Sequence, residues 1–95
     1  MPKAVDVNLD AEEMVLKLEK ESSPRRIEYS KLDRLVKVKE PVKKLFRTIE
    51  VKGLQVHIKG MEEPVIISSD KVGDYDNIEE YLIKVAEKYE VAVEQ

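Results

Sequence analysis

Residues 45–60 read LFRTIEVKGLQVHIKG; in them Ile49 and Val51 lead into Lys52-Gly53, after which Leu54, Val56 and Ile58 alternate with Gln55, His57 and Lys59. Alternation with a period of two marks a half-buried strand, and a glycine-containing pair between two such runs is turn chemistry. The stretch predicts a β-hairpin turning at Lys52-Gly53, and with it an antiparallel sheet. Downstream, Gly60 and Met61-Glu62-Glu63-Pro64 turn the chain into Val65-Ile66-Ile67-Ser68, a continuous apolar run suited to a covered strand. Upstream, residues 31–39, KLDRLVKVK, set Leu35, Val36 and Val38 between basic residues. Glu40-Pro41 then disfavours a helix through Glu40, because proline restricts the residue before it. Another short strand is expected there.

Toward the N-terminus, Val5, Val7 and Leu9 alternate with Asp6 and Asn8, again as a strand does. Residues 10–21 admit two readings. Met14, Leu16 and Leu18 alternate, yet Asp10 followed by Glu13 is able to cap a helix. The Ser22-Ser23-Pro24 break and the β-like run with Ile27 and Tyr29 favour a second hairpin; an additional N-terminal helix would instead make a small α+β sandwich. The last element differs in kind. Asp76 and Glu79 resemble a capping box, and Ile78, Leu82, Val85, Ala86 and Tyr89 recur at helical spacing, giving a helix of about four turns. Its polar back is Glu79, Glu80, Lys84, Glu87 and Lys88.

A chain of 95 residues holds one core, so a single domain over residues 1–95 is expected. No apolar run reaches the ~18 residues of a membrane span, and Met1–Asp6 lacks the apolar stretch of a signal peptide. A cytoplasmic location is the default expectation. The absence of cysteine removes disulfides, thiol nucleophiles and thiolate metal sites. Lys and Glu dominate the charged set while Asn and Gln occur twice each, a thermophile-like composition.

The succession RRIEYSKLDRLVKV, GLQVHIKG, EEPVIIS and a terminal amphipathic helix resembles the bacterial pleckstrin-homology-like (PH-like) domains. The resemblance covers most of the chain from about Met14 onward and rests on apolar patterns without an invariant signature. It implies a mainly β fold of about seven strands, a bent antiparallel sheet or partly open barrel capped by the C-terminal helix. Two departures from the better-known eukaryotic members stand out: the helix has no Trp, and the loop Leu9-Asp10-Ala11-Glu12-Glu13 is acidic where phosphoinositide binders place Lys and Arg. The family's lipid site therefore maps onto no residue here.

Residues able to carry chemistry are few. His57 is the sole histidine and falls on the Gln55–Lys59 side of its strand, away from the apolar face. Neither a second His nor a Cys can join it as ligand or base. Asp70, Asp74, Asp76, Glu79 and Glu80 lack the spacing and central glycine of a calcium loop. Gly53, Gly60 and Gly73 are too scattered to cradle a phosphate, and Ser68-Ser69 has no base beside it in sequence. No catalytic residue, metal site or cofactor is expected, and an enzyme is the remote alternative.

Charge division is the feature composition does not explain. Residues 1–24 carry three Lys against six acids (−3), residues 25–59 eleven Lys or Arg against four acids (+7), and residues 60–95 three Lys against ten acids (−7), within a net charge of −3. One interpretation is mutual neutralisation by exposed ion pairs, each worth ~0.2–1 kcal/mol. The sharper one is that Arg25, Arg26, Lys31, Arg34, Lys37 and Lys39 form a basic face for an acidic partner. Nucleic acid is disfavoured, since only Tyr29 and Phe46 interleave with the basic stretch. Membrane binding needs a net-positive face or a basic amphipathic helix, and this helix is acidic. The sequence thus points to a non-enzymatic interaction module, binding a protein or a second copy of itself through a sheet edge or the basic face; the alternative is an anionic-lipid- or small-anion-binding domain.

Overall fold

A computed structural model describes residues 1–95. The elements are β1 (Ala4–Leu9), β2 (Glu13–Leu18), β3 (Arg25–Glu28), a 3-10 turn (Tyr29–Lys31), β4 (Leu32–Lys43), β5 (Thr48–Ile58), β6 (Val65–Ser68), α1 (Tyr75–Lys88) and β7 (Ala92–Glu94). They form a three-stranded sheet, β1-β2-β3, and a four-stranded sheet, β6-β5-β4-β7. All pairs are antiparallel except β4 with β7. The fold is mainly β with one helix, and residues 13–18 are strand, so the additional N-terminal helix is absent. The sheets do not close into a barrel. They meet where the Ile66 amide donates to the Pro2 carbonyl at 2.9 Å beside a bridge from Lys3 to Ile66.

The hairpin turn expected at Lys52-Gly53 does not exist. β5 runs unbroken through it, β4 runs through Glu40-Pro41, and the reversal lies at Lys44–Arg47, where the Lys44 amide donates to the Arg47 carbonyl at 2.7 Å. Gly53 lies outside the left-handed region. Its role is close approach, since a Cβ there would stand 3.2 Å from Glu40 Cγ and 3.3 Å from Val38 Cγ2. Pro41 is tolerated because β7 pairs with β4 only from Arg34 to Val36, leaving the β4 edge at Pro41 without a neighbour. Seven strands are present as expected, but differently divided: the two halves of 49–58 are one strand, and the seventh, β7, follows the helix.

Alternation builds the core, and two bulges correct its phase. Extra residues at Val5 in β1 and Asp33 in β4 let Ala4 face inward with Val7 and Leu9, and Leu32 with Leu35. Val5, expected inward, is consequently exposed. Met14, Leu16, Leu18, Ile27, Leu54, Val56, Ile58, Val65 and Ile67 complete the strand side of one cluster of 19 buried residues. Four residues of the expected helix stripe, Ile78, Leu82, Val85 and Ala86, belong to that cluster, while the fifth, Tyr89, follows the last helical residue and packs half-buried against it. The helix begins one residue before Asp76, after Asp74 in the left-handed conformation (φ 60°), and no side chain caps it. Glu79 instead accepts the Tyr75 hydroxyl at 2.7 Å. The Tyr29 and Tyr81 hydroxyls both donate to the Asp10 carbonyl, at 2.6 and 3.2 Å, tying α1 to the β1–β2 turn.

Candidate functional site

The six cations of the expected basic face do not share one surface. Arg25 and Arg26 on β3, with Lys31 of the 3-10 turn, line an open groove of about 820 Å³ that also takes in Lys59 and the apolar side chains Ile27, Ile58 and Met61. Lys37 and Lys39 of β4 line a separate, smaller concavity with Lys52 and Glu79. Arg34 faces β7, where it pairs with Glu94 at 3.6 Å.

Strand geometry explains the separation. Cross-strand partners share a face, and Leu35 opposite Val56 defines the core side of the β4–β5 pair. Lys37 opposite Leu54 and Lys39 opposite Lys52 lie on that same side, at and just past the margin of the core, where α1 begins. There Lys52 Nζ meets Asp76 Oδ1 at 2.5 Å, and the hydrogen bond to that carboxylate, with its charge, raises the lysine's pKa. β3 stands at the far edge of the other sheet.

Ion pairing divides the basic block again. Arg25 holds Glu21 through two contacts of 3.0 and 2.9 Å, and Arg26 holds Glu13 at 2.8 Å. With Arg34–Glu94 and Lys52–Asp76, four of the eleven middle-block cations are paired. Mutual neutralisation therefore accounts for a minority. The seven left without an ion-pair partner include Lys31 and Lys59 in the groove. Lys59 escaped the sequence reading because it lies in the turn after β5, far along the chain from the basic run; its amide donates to the Lys31 carbonyl at 2.8 Å, which brings the two residues together.

One wall of the groove is the outer edge of β3, which has β2 on one side and no strand on the other. Arg25–Glu28 thus offers backbone donors and acceptors beside apolar side chains and the two unpaired ammonium groups, which outnumber the one unpaired carboxylate of the lining, Glu28, while Glu13 is held by Arg26. The arrangement fits an extended, acidic segment better than a small molecule, since the groove is open and only three of its ten lining residues are hydrophobic. Elsewhere, His57 Nε2 and Gln55 Oε1 lie 3.2 Å apart, and the buried Ser68 Oγ has no hydrogen-bond partner. No helix is long and apolar enough to cross a membrane. Comparison with models of known families, with curated proteins and with solved structures finds no match for this chain.

Proposed function

We propose that the chain is a non-enzymatic interaction module that binds an extended acidic segment of a partner protein, adding it as a strand to β3. One observation carries this reading: the free edge of β3 forms the wall of the groove in which Lys31 and Lys59 stand without ion-pair partners. Main-chain hydrogen bonds along the edge would supply affinity, alternate side chains of the segment would reach Ile27 and Met61, and carboxylates would meet the two lysines. The PH-like assignment belongs to the same proposal. It is supported by a mainly antiparallel seven-strand chain whose helix packs on the core, while the two unclosed sheets and the strand after the helix depart from it.

Selection from a displayed peptide library tests the reading. Acidic peptides of extended type are expected, with affinity falling as salt rises because exposed charges are screened beyond ~10 Å at 0.1 M. Lys31→Glu with Lys59→Glu should abolish binding without unfolding. Selection of nothing, or of peptides indifferent to both lysines, refutes the groove as the site.

A further inference from the structure

Beyond Val36 and Gly53 the strands β4 and β5 leave the body of their sheet. β7 stops pairing with β4 at Val36, β6 stops pairing with β5 at Gly53, and the last outside bond is the Ser69 amide to the Lys52 carbonyl, so Glu40–Lys43 and Thr48–Val51 pair only with each other. This two-stranded arm ends in Leu45 and Phe46, 88% and 93% exposed. Both occupy the apex of a reversal where Gly, Asn or Asp normally supply turn geometry, and neither adopts a positive φ. Two large apolar side chains at such an apex serve no packing in this fold, and a departure from local turn chemistry of this kind marks a functional position.

The apex is also cationic. Lys43, Lys44 and Arg47 flank the two apolar residues, none has an ion-pair partner, and no acid lies between Pro41 and Ile49. On the arm's other face Val42 stands opposite Ile49, extending the apolar surface down one side of the tip. We propose that this apex docks end-on to an anionic lipid bilayer, with Leu45 and Phe46 entering the headgroup–acyl boundary and Lys43, Lys44 and Arg47 meeting lipid phosphates and carboxylates. Apolar insertion combined with electrostatic attraction to anionic lipid is the established basis of interfacial binding.

Charge placement selects the bilayer over a nucleic acid duplex. A duplex lying along the arm would bring phosphates against Glu40, Glu50 and the Asp76–Glu79 end of α1. End-on contact keeps the α1 end away: Thr48 to Lys52, which holds Asp76, spans about 14 Å at ~3.4 Å per residue, more than the ~10 Å screening length at 0.1 M salt, and the nearer Glu50 is outnumbered by Lys43, Lys44 and Arg47. This site is separate from the β3 groove, and its test is independent of that reading.

Because the chain contains no Trp, Phe46→Trp places a single reporter at the apex. Its emission should shift to the blue with phosphatidylcholine vesicles containing about one-third phosphatidylserine, and the shift should fall away in high salt. In vesicle sedimentation of the otherwise native chain, Leu45→Ser with Phe46→Ser should lower partitioning at least about tenfold, from the lost apolar transfer. Lys44→Glu with Arg47→Glu should do the same, whereas Lys31→Glu with Lys59→Glu should leave partitioning unchanged. All these positions lie outside the buried core, so each variant should keep the native melting temperature. The proposal is overturned by no shift on anionic vesicles, by an equal shift on pure phosphatidylcholine, by a shift that follows protein concentration without lipid, or by duplex DNA displacing the vesicles.

Discussion

Leu82→Ala removes the side chain at the centre of the helix stripe. Leu82 is fully buried, and the cluster around it draws residues from both sheets as well as from α1. Its neighbours on the strand side are fixed by ladder pairing, so the site has little freedom to collapse around the missing atoms. Leucine-to-alanine changes in cores cost ~2–5 kcal/mol, the upper part applying where a cavity persists. Against a total stability of ~5–15 kcal/mol for a domain this is a large fraction. With ~4–8 °C per kcal/mol at this chain length, a cost near 3 kcal/mol lowers the melting temperature by roughly 12–24 °C. Urea unfolding followed by circular dichroism measures it, with Glu80→Ala on the exposed back of the helix as control. An unchanged slope with a lower midpoint is expected. A loss below about 0.5 kcal/mol, the margin typical of surface sites, would refute the packing of α1 over the core.

Gly53→Val should destabilise by ~1–3 kcal/mol in the same assay, because its branches would enter space held by Val38 and Glu40. Leu45→Ser combined with Phe46→Ser should stay within about 0.5 kcal/mol of the native chain, since both side chains are exposed and neither backbone adopts a positive φ. Alkaline titration should also be informative. Burial, then the proximity of the Tyr81 hydroxyl, raise the Tyr29 pKa; burial, then the hydrogen bond to Glu79, raise that of Tyr75. A raised folded-state value means that the neutral hydroxyl is favoured by the fold. The stabilisation is therefore complete below the unfolded value of ~10 and is lost as pH climbs through the higher folded values. Phenolate absorbance from these two residues should appear together with unfolding, and Tyr29→Phe with Tyr75→Phe should remove that part of the alkaline loss.

The sequence was most legible where one rule acted alone. Period two in Leu54–Ile58 and period 3.6 in Ile78–Ala86 led directly to strand and helix, because each buries a continuous apolar face; at Met14–Leu18 period two competed with a helix start at Asp10 and Glu13, and only the Ser22-Ser23-Pro24 break favoured the strand that forms. Failures arose where residues of identical local appearance serve different purposes. Gly53 resembles a turn glycine but is required by side-chain approach across the ladder, a contact between residues 38, 40 and 53 that no local window contains. The true reversal at Leu45-Phe46 lacks turn residues, so turn chemistry could not locate it. β7 is only three residues long and is stabilised by pairing with a strand some sixty positions earlier. The basic block was legible as charge along the chain, but the single face expected of it does not form, because the distribution of its members over two sheets depends on topology, and so does the arrival of Lys59 beside Lys31.

The most direct test of the proposed function is backbone amide chemical-shift mapping of the native chain titrated with a selected acidic peptide at low salt. Strand addition predicts perturbations concentrated at Arg25–Glu28, Lys31 and Lys59, with new slow-exchanging amides along β3, and their disappearance in Lys31→Glu with Lys59→Glu. Perturbations confined to the β4–β5 arm or to α1, with β3 unmoved, would contradict it.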